Sequence, residues 1–553
     1  MTGENNKKQR IEELLLAFVA CGSFTNKAEN EIIAFFSQWT QENEYFRQHR
    51  QHWGFYPLQD DPLQRQVAWC LVKGQGDKTV ILLHHHDIVD TLEYGEDAPW
   101  ALKPQELSLL YAKKYSGFPD EVVADIKENS WLFGRGVADM KAGAAIQMEL
   151  IEEYSRKSDF SGNLLLLSVP DEENLSAGMN SAIYLLKELQ RQYNLDYKML
   201  LNCEPHTRQD FVCPTIYRGS IGKIMPLFYI RGETCHVSQI YDGYSASSIM
   251  SELIRRIELN PEFIEHDGST TSPPPAVLLA RDLKPVYDVS IPQSAWFLLN
   301  ILPLQAAPLE ILNKLKLLSQ EALAQILQDN NSSYQQYCNI AHIPYVAKTW
   351  SENVLLFEEL YKTAIANSPE IFKAAYSTLL AQLTKQYHDN QISIHHCSRQ
   401  LIELCLQYAD LTTPVVVIAL TPPFYPSVHN NMLDAATYQY TETLIAELCN
   451  FSQNQNKQQL AIQDYFSGIS DLSYAGFYHS SANIDCLQSN MPAWKTIYSL
   501  ALELIKELAL PVLNIGPWGK DCHTRYERVY KDDLFSKTPS LLQWVVEYLL
   551  KNK

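Results

Sequence analysis

Residues Thr79–Asp87, TVILLHHHD, form an unbroken apolar run that ends in three histidines and an aspartate. A run without polar alternation suits a strand covered on both faces, the kind found in parallel sheets packed between helices. The pattern recurs. NLLLLSVPDEEN (163–174) and YKMLLNCEP (197–205) are further apolar runs that end in acids. Between them lie helical stretches, GAAIQMELIEEYSRK and SAIYLLKELQRQ, and a half-buried strand, RQVAWCLVKG, precedes them. Two helices are expected before these, over Ile11–Cys21 and through EIIAFFSQW. Strands alternating with helices predict an α/β fold, a mostly parallel sheet flanked by helices. In such sheets the ligand crevice opens at the carboxyl ends of the strands.

After about Thr215 the texture changes. GKIMPLFYIRG, AVLLARDLKPVYDVS, SAWFLLNILPL and PVVVIAL read as strands, and SASSIMSELIRRIEL and LEILNKLKLLSQEALAQILQ as helices. The order predicts a second, inserted α+β domain over 216–428, itself carrying a helical insert near 330–412. The catalytic domain is then split, with its first part at 1–215 and its second at 429–553.

Composition narrows the function classes. The chain has 553 residues, 46% hydrophobic and 20% charged, and a formal net charge of −19. An acidic chain without a long Lys/Arg run is a poor partner for nucleic acid or an anionic membrane surface. The eleven cysteines are scattered and never form CxxC, which suits reduced thiols. The N-terminal apolar run is too short for a signal peptide, and no stretch approaches the roughly 20 apolar residues of a membrane span. A cytoplasmic location, with neither nucleic acid nor a membrane as partner, is the expectation.

The chemistry collects at the ends of the apolar runs. His85 and Asp87 end one, Asp139 lies in FGRGVADMKAG, Glu172 and Glu173 end another, Glu204 a further one, and His523 follows LNIGPWGKDC. If the strands are parallel, these five segments meet at one rim. Two imidazoles and several carboxylates suit a pair of zinc-like cations, with one carboxylate bridging and another free to act as a base. Singly each piece is weak: a strand-end His is commonly structural, and PDEEN reads as a solvated turn. The Gly-rich GRGVADMKAG matches neither GxGxxG nor GxxxxGK[ST]. The weight lies in their joint occurrence.

These words, in this order, also resemble a known family. H-x-D at His85–Asp87, G-R-G-x-x-D-M-K-x-G at Gly134–Gly143, D-E-E, E-P and a final G-P…H-x-x-x-E resemble the di-zinc aminoacylase/carboxypeptidase G/succinyl-diaminopimelate desuccinylase peptidases. FSGISDLSY, PPFYPSV and LNCEP make the chain similar to the arginine-utilisation, RocB-like branch of that family. The resemblance implies a hydrolase of amide bonds in a small-molecule or short-peptide substrate, holding two Zn2+, with Mn2+ or Co2+ as alternatives. It implies His85, Glu204 and a bridging Asp139 on one cation, and Glu173, His523 and Asp139 on the other. Glu172 would be the general acid/base. Asp87 would accept a hydrogen bond from the second ring nitrogen of His85, and the Asp139–Met140 peptide would be cis. His84 and His86, on the opposite strand face, are read as supporting residues.

The inserted domain carries GETCHVSQIYDGYSA, where Gly232, His236, Gly243 and Ala246 match the family's spacing. This implies that the inserted domain is a lid and that His236 donates to the oxyanion, in relatives often from the lid of the other subunit of a homodimer. One piece departs. In NILP, Leu302 stands where relatives carry an arginine that clamps the substrate carboxylate. Arg218 and Arg525 are candidate substitutes. The rival to a hydrolase is a catalytically idle protein that binds a peptide or amino-acid derivative in the same cleft; an intact Glu172 and a full ligand set argue against it.

Overall fold

The computed structural model describes residues 3–208 and 213–551. In chain order the strands that matter here are β1 (Trp53–Pro57), β2 (Gln66–Lys73), β3 (Gln75–His85), β4 (Ser161–Val169), β5 (Asp196–Asn202) and β6 (Thr215–Tyr217). They continue with β7 (Pro226–Arg231), β8 (Ala276–Asp282), β9 (Ser294–Asn300), β10 (Asn353–Leu356), β11 (Val415–Leu420), β12 (Ala461–Gln463) and β13 (Val512–Asn514).

Eight of these form one sheet in the order β1-β2-β4-β3-β5-β13-β6-β12. Its centre, β4-β3-β5-β13, is parallel. The flanks are mixed: β1 and β2 join antiparallel, and β6 runs antiparallel to β13. The α/β expectation holds, and the antiparallel pieces are confined to the edges. The central strands are almost wholly buried, as their unbroken apolar runs require. Helices α1 (Gly3–Ala20), α2 (Ala142–Ser155) and α3 (Ala177–Tyr193) supply the covering layers. Leu82, Leu164 and Leu201 pack into the same core as α1 and α2, whereas Leu83, Leu165 and Leu200 pack with α3.

The register levels the carboxyl ends of the central strands. His85 lies beside Val169, Leu83 beside Asn202, and Asn202 beside Asn514. Every loop that leaves this edge therefore starts from nearly the same height.

A second sheet, β8-β9-β7-β11-β10, comes from residues 276–300, 226–231 and 353–420. It is antiparallel except for β10 on β11. Phe228 and Phe297 stack across β7 and β9 at 4.4 Å. Helices α4 (Ala246–Ile257), α5 (Pro308–Ala341) and α6 (Ile394–Ala409) pack around it. The stretch 330–412 is helical in the main, as read, with the short strand β10 inside it.

Candidate active site

The five segments do converge. His85 is the last residue of β3, and its ring is fixed from behind: Nδ1 donates to the backbone carbonyl of Asp87 at 3.1 Å. That leaves Nε2 aimed at Asp139 Oδ1, 3.0 Å away, with Glu204 Oε1 at 3.5 Å. On the other side, His523 Nε2 lies 3.2 Å from Asp139 Oδ2 and 3.0 Å from Glu173. Asp139 thus turns one oxygen to each imidazole, and each imidazole has a further carboxylate of its own. Ligand atoms of His85, Asp139 and Glu173 all lie within 4.8 Å of one another.

The backbone around this cluster is held by buried polar groups. Asn514 receives the Glu204 N–H at 2.8 Å and donates back to the Glu204 carbonyl at 3.1 Å. The chain then passes so close that a Cβ on Gly516 would sit 1.9 Å from that carbonyl oxygen, so only glycine fits. Glu527, four residues after His523, accepts from the amides of Ala138 and Asp139 at 3.1 and 3.3 Å. Its other oxygen takes Arg135 at 2.8 Å, and Arg135 also donates to the His523 carbonyl at 3.3 Å. One buried ion pair therefore locates both Asp139 and His523. The Asp139–Met140 peptide is cis, as the resemblance implied.

Asp87 differs from the expectation. Its carboxylate lies 3.6 Å from His85 Nδ1, beyond hydrogen-bonding distance. It instead accepts the amides of Glu172 and Glu173 at 3.0 and 3.2 Å. The ring is oriented by the carbonyl of Asp87, and the side chain of Asp87 positions the loop that carries the two glutamates. His84 and His86 are structural, as read: His84 meets Gln147 at 2.9 Å, and His86 meets Ser168 at 2.9 Å and Glu29 at 2.8 Å.

Electrostatics show what the cluster demands. Burial pushes the carboxyls of Glu172 and Glu204 well above the usual range, and neighbouring acids add to it. Burial raises Glu173 too, with Asp139 adding to the shift. His523 is pushed up to about 10 by its hydrogen bonds to Asp139 and Glu173. For His85 burial acts downward, but Glu204, Asp139 and Asp87 outweigh it and hold the ring well above its ordinary value. The acids thus concentrate positive charge at two points. The same donor set, with neutral imidazoles, fits two divalent cations sharing Asp139.

Three other candidates are not part of this geometry. His236 is exposed, its Nδ1 turned to the Ser238 hydroxyl at 2.7 Å, and it touches none of the cluster among the described residues. Arg218 is committed to Asp464 and Glu442 at 2.6 Å each. Arg525 is paired with Asp97. Neither arginine is free to hold a substrate. Leu302 packs in a small apolar cluster with Ile221, Leu304 and Tyr465.

Asp471, within the FSGISDLSY stretch, was not singled out by sequence reasoning. It is 2% exposed, and neither carboxylate oxygen has a donor in hydrogen-bond geometry. The nearby Ser176 hydroxyl pairs with Tyr425 at 3.0 Å instead. Burial pushes Asp471 up to about 7, and the Ser176 hydroxyl and then the charge of His85 pull the other way. FSGISDLSY carried the resemblance to the branch but assigned no role to its aspartate; its place beside β5 does.

Residues 116–474 match the sequence pattern of peptidase family M20/M25/M40. The chain is 31% identical to the YqjN protein of Bacillus subtilis (strain 168), over 98% of this chain and 97% of that one. It is 27% identical to RocB of the same strain, over 99% and 96% of the two chains. Among solved structures it resembles an M20 family metallo-carboxypeptidase, Sso-CP2 from Sulfolobus solfataricus, with a TM-score of 0.53 over 99% and 100% of the chains at 10% identity. At that identity the likeness is one of fold.

Proposed function

The chain belongs to peptidase family M20/M25/M40, a metallo-hydrolase lineage, and we propose from this that it cleaves an amide bond of a short peptide or an N-acyl amino acid. The observation that carries the reading is Asp139, whose two oxygens face His85 and His523 at 3.0 and 3.2 Å. His85, Glu204 and Asp139 would hold one Zn2+, and Glu173, His523 and Asp139 the other; Mn2+ or Co2+ suit the same donors. Bound there, the cations would supply a Lewis acid for the scissile carbonyl and acidify the attacking water.

The residues do the proton work. Glu172 stands on the loop that Asp87 grips through two amides, beside but outside the donor set. It takes the proton from the attacking water and returns it to the leaving amine. Burial of the glutamate in this crevice favours that exchange by disfavouring a permanently charged carboxylate. We take 216–428 as a lid over the crevice, and a homodimer as the arrangement that would bring a second copy's His236 to the oxyanion. A cationic substrate, as in the arginine-utilisation branch the sequence resembles, is supported by Asp471, a buried carboxyl beside Glu172 that no cationic side chain neutralises among the described residues. Among the described residues no helix is long and apolar enough to cross a membrane. We place the reaction in the cytoplasm on the scattered cysteines, which suit a reducing compartment.

Replacing Glu172 with Gln tests the mechanism. A panel of dipeptides and N-acetylamino acids, arginine derivatives included, is assayed for amine release with added Zn2+, Mn2+ or Co2+. Glu172→Gln should lower kcat by about 10³-fold or more while metal content stays that of the wild type. Activity that survives the substitution rules the mechanism out.

A further inference from the structure

We propose that Lys223 is a substrate-binding residue of this site, anchoring a carboxylate of the substrate on the side of the crevice opposite the metal-ligand cluster. The proposal deepens the amide-hydrolase reading above and rests on it for the nature of the anion.

The placement follows from strand register. Lys223 and Tyr425 are a hydrogen-bonded antiparallel pair, with N–H···O bonds of 2.9 and 3.0 Å in the two directions. Directly opposed residues of such a pair project from the same face. Tyr425 shows where that face looks: its hydroxyl receives Ser176 Oγ at 3.0 Å and approaches the carbonyl of Glu172 at 3.4 Å. Lys223 is therefore turned toward the Glu172 loop. Burial lowers the Lys223 ammonium from its ordinary range and the charge of Glu172 raises it, which agrees with that direction.

The strand on the other side adds no charge. Ile224 pairs with Ile301, and Gly222 donates to Pro303 at 2.9 Å, so the register sets Leu302 across from Lys223. Within 221–225, 300–304 and 421–427 Lys223 is the one cationic residue. It is also uncommitted. Arg65, Arg135, Arg218 and Arg525 each hold a carboxylate of the protein. The Lys223 ammonium has no hydrogen bond or ion pair with any described residue. A half-buried lysine without a partner, facing the acid/base group of a hydrolase, is stabilised once an anion arrives beside it. The helical insert closes this corner. His395, near the start of α6, meets Thr421 at 2.9 Å, and burial pushes it down to about 4, with His396 and Lys223 adding to the shift. Short peptides and N-acyl amino acids carry one constant anion, the terminal carboxylate, and that is the group assigned to Lys223.

The test pairs each compound of the panel with its C-terminal amide. KM and kcat are measured for wild type, Lys223→Met and Lys223→Arg, and binding is measured by calorimetry on metal-loaded Glu172→Gln with and without the Lys223 changes. The preference for acid over amide should fall roughly 10- to 100-fold in Lys223→Met, expressed in KM rather than kcat, and be largely kept in Lys223→Arg. An unchanged preference in Lys223→Met, or wild-type protein that binds acid and amide alike, overturns the assignment. If no compound is hydrolysed but acids still bind better than amides through Lys223, the hydrolase reading falls and the carboxylate anchor stands.

Discussion

His85 and His523 face the same aspartate at 3.0 and 3.2 Å, but their side chains are 1% and 51% exposed. His85 ends a central strand whose neighbours on both sides are hydrogen-bonded to it, and its ring is seated on the Asp87 carbonyl. His523 lies in a turn with φ +65° and is tethered through its carbonyl to Arg135. One half of the cluster is thus an extension of the core; the other is a loop laid against it. Equal chemistry at the two imidazoles need not mean equal contributions to folding.

The strongest way to break this comparison is to truncate each imidazole in turn. Both His85→Ala and His523→Ala should abolish turnover, since each removes a donor. Their stabilities should diverge. His85→Ala leaves Glu204 and Asp139 without their buried partner and should cost roughly 3–5 kcal/mol, as for other severed buried pairs. His523→Ala opens no core cavity but leaves the buried Glu173 without its imidazole, and should cost less, about 1–2 kcal/mol. Denaturant unfolding of the two variants checks this. Equal midpoints would show that the loop half is as much a part of the core as the strand half.

A smaller effect should come from Asp87, which belongs to neither imidazole's ligand set. Asp87→Asn keeps the backbone carbonyl that seats His85 but weakens the acceptor for the Glu172 and Glu173 amides. The loss should be about 1–2 kcal/mol in stability and roughly 10- to 100-fold in kcat, with wild-type metal content. Loss of metal from the His85 half instead would return Asp87 to the role of a carboxylate that orients the ring.

Asp87 also shows where sequence reading stops. The strand ends were legible because unbroken apolar runs terminate in acids and imidazoles, and the resemblance to the family's H-x-D word singled out His85 from its two neighbours. The rim follows, because parallel strands in level register send their loops to one edge. What Asp87 holds was not legible: its donors are backbone amides 85 and 86 positions away, and amides leave no mark on a sequence. The same limit applies to Arg218 and Arg525, which looked available until Asp464, Glu442 and Asp97 were found beside them. Asp471 and Lys223 lie at the other extreme: no spacing marks either charge for a role, and tertiary contact gives them their setting. The antiparallel flanks β1 and β2 escaped because strand direction is set by the partner and not by hydrophobic pattern.

The smallest predicted effect sharpens the comparison through a slight difference in slope against pH. Burial pushes His52 and His395 down to about 4, and neighbouring cationic groups add to it. Above pH 6.5 these rings are neutral both folded and unfolded, so their full contribution to stability is present. Between about 6.5 and 4 the unfolded chain takes up protons that the fold refuses, and stability falls with pH by up to about 3 kcal/mol per histidine. Unfolding midpoints measured from pH 7 to pH 4.5 should show this acid limb, and His52→Gln combined with His395→Gln should make it shallower, the remainder coming from His84 and His206, which burial also holds down. His523, held up to about 10, acts the other way: its contribution is complete below about pH 6.5 and is lost as pH rises, so the upper end of the limb should fall slightly more steeply in His523→Ala than in the wild type. A flattened limb in His523→Ala would mean that the exposed imidazole, and not the buried histidines, governs the acid response, and the exposed half would then be coupled to folding after all.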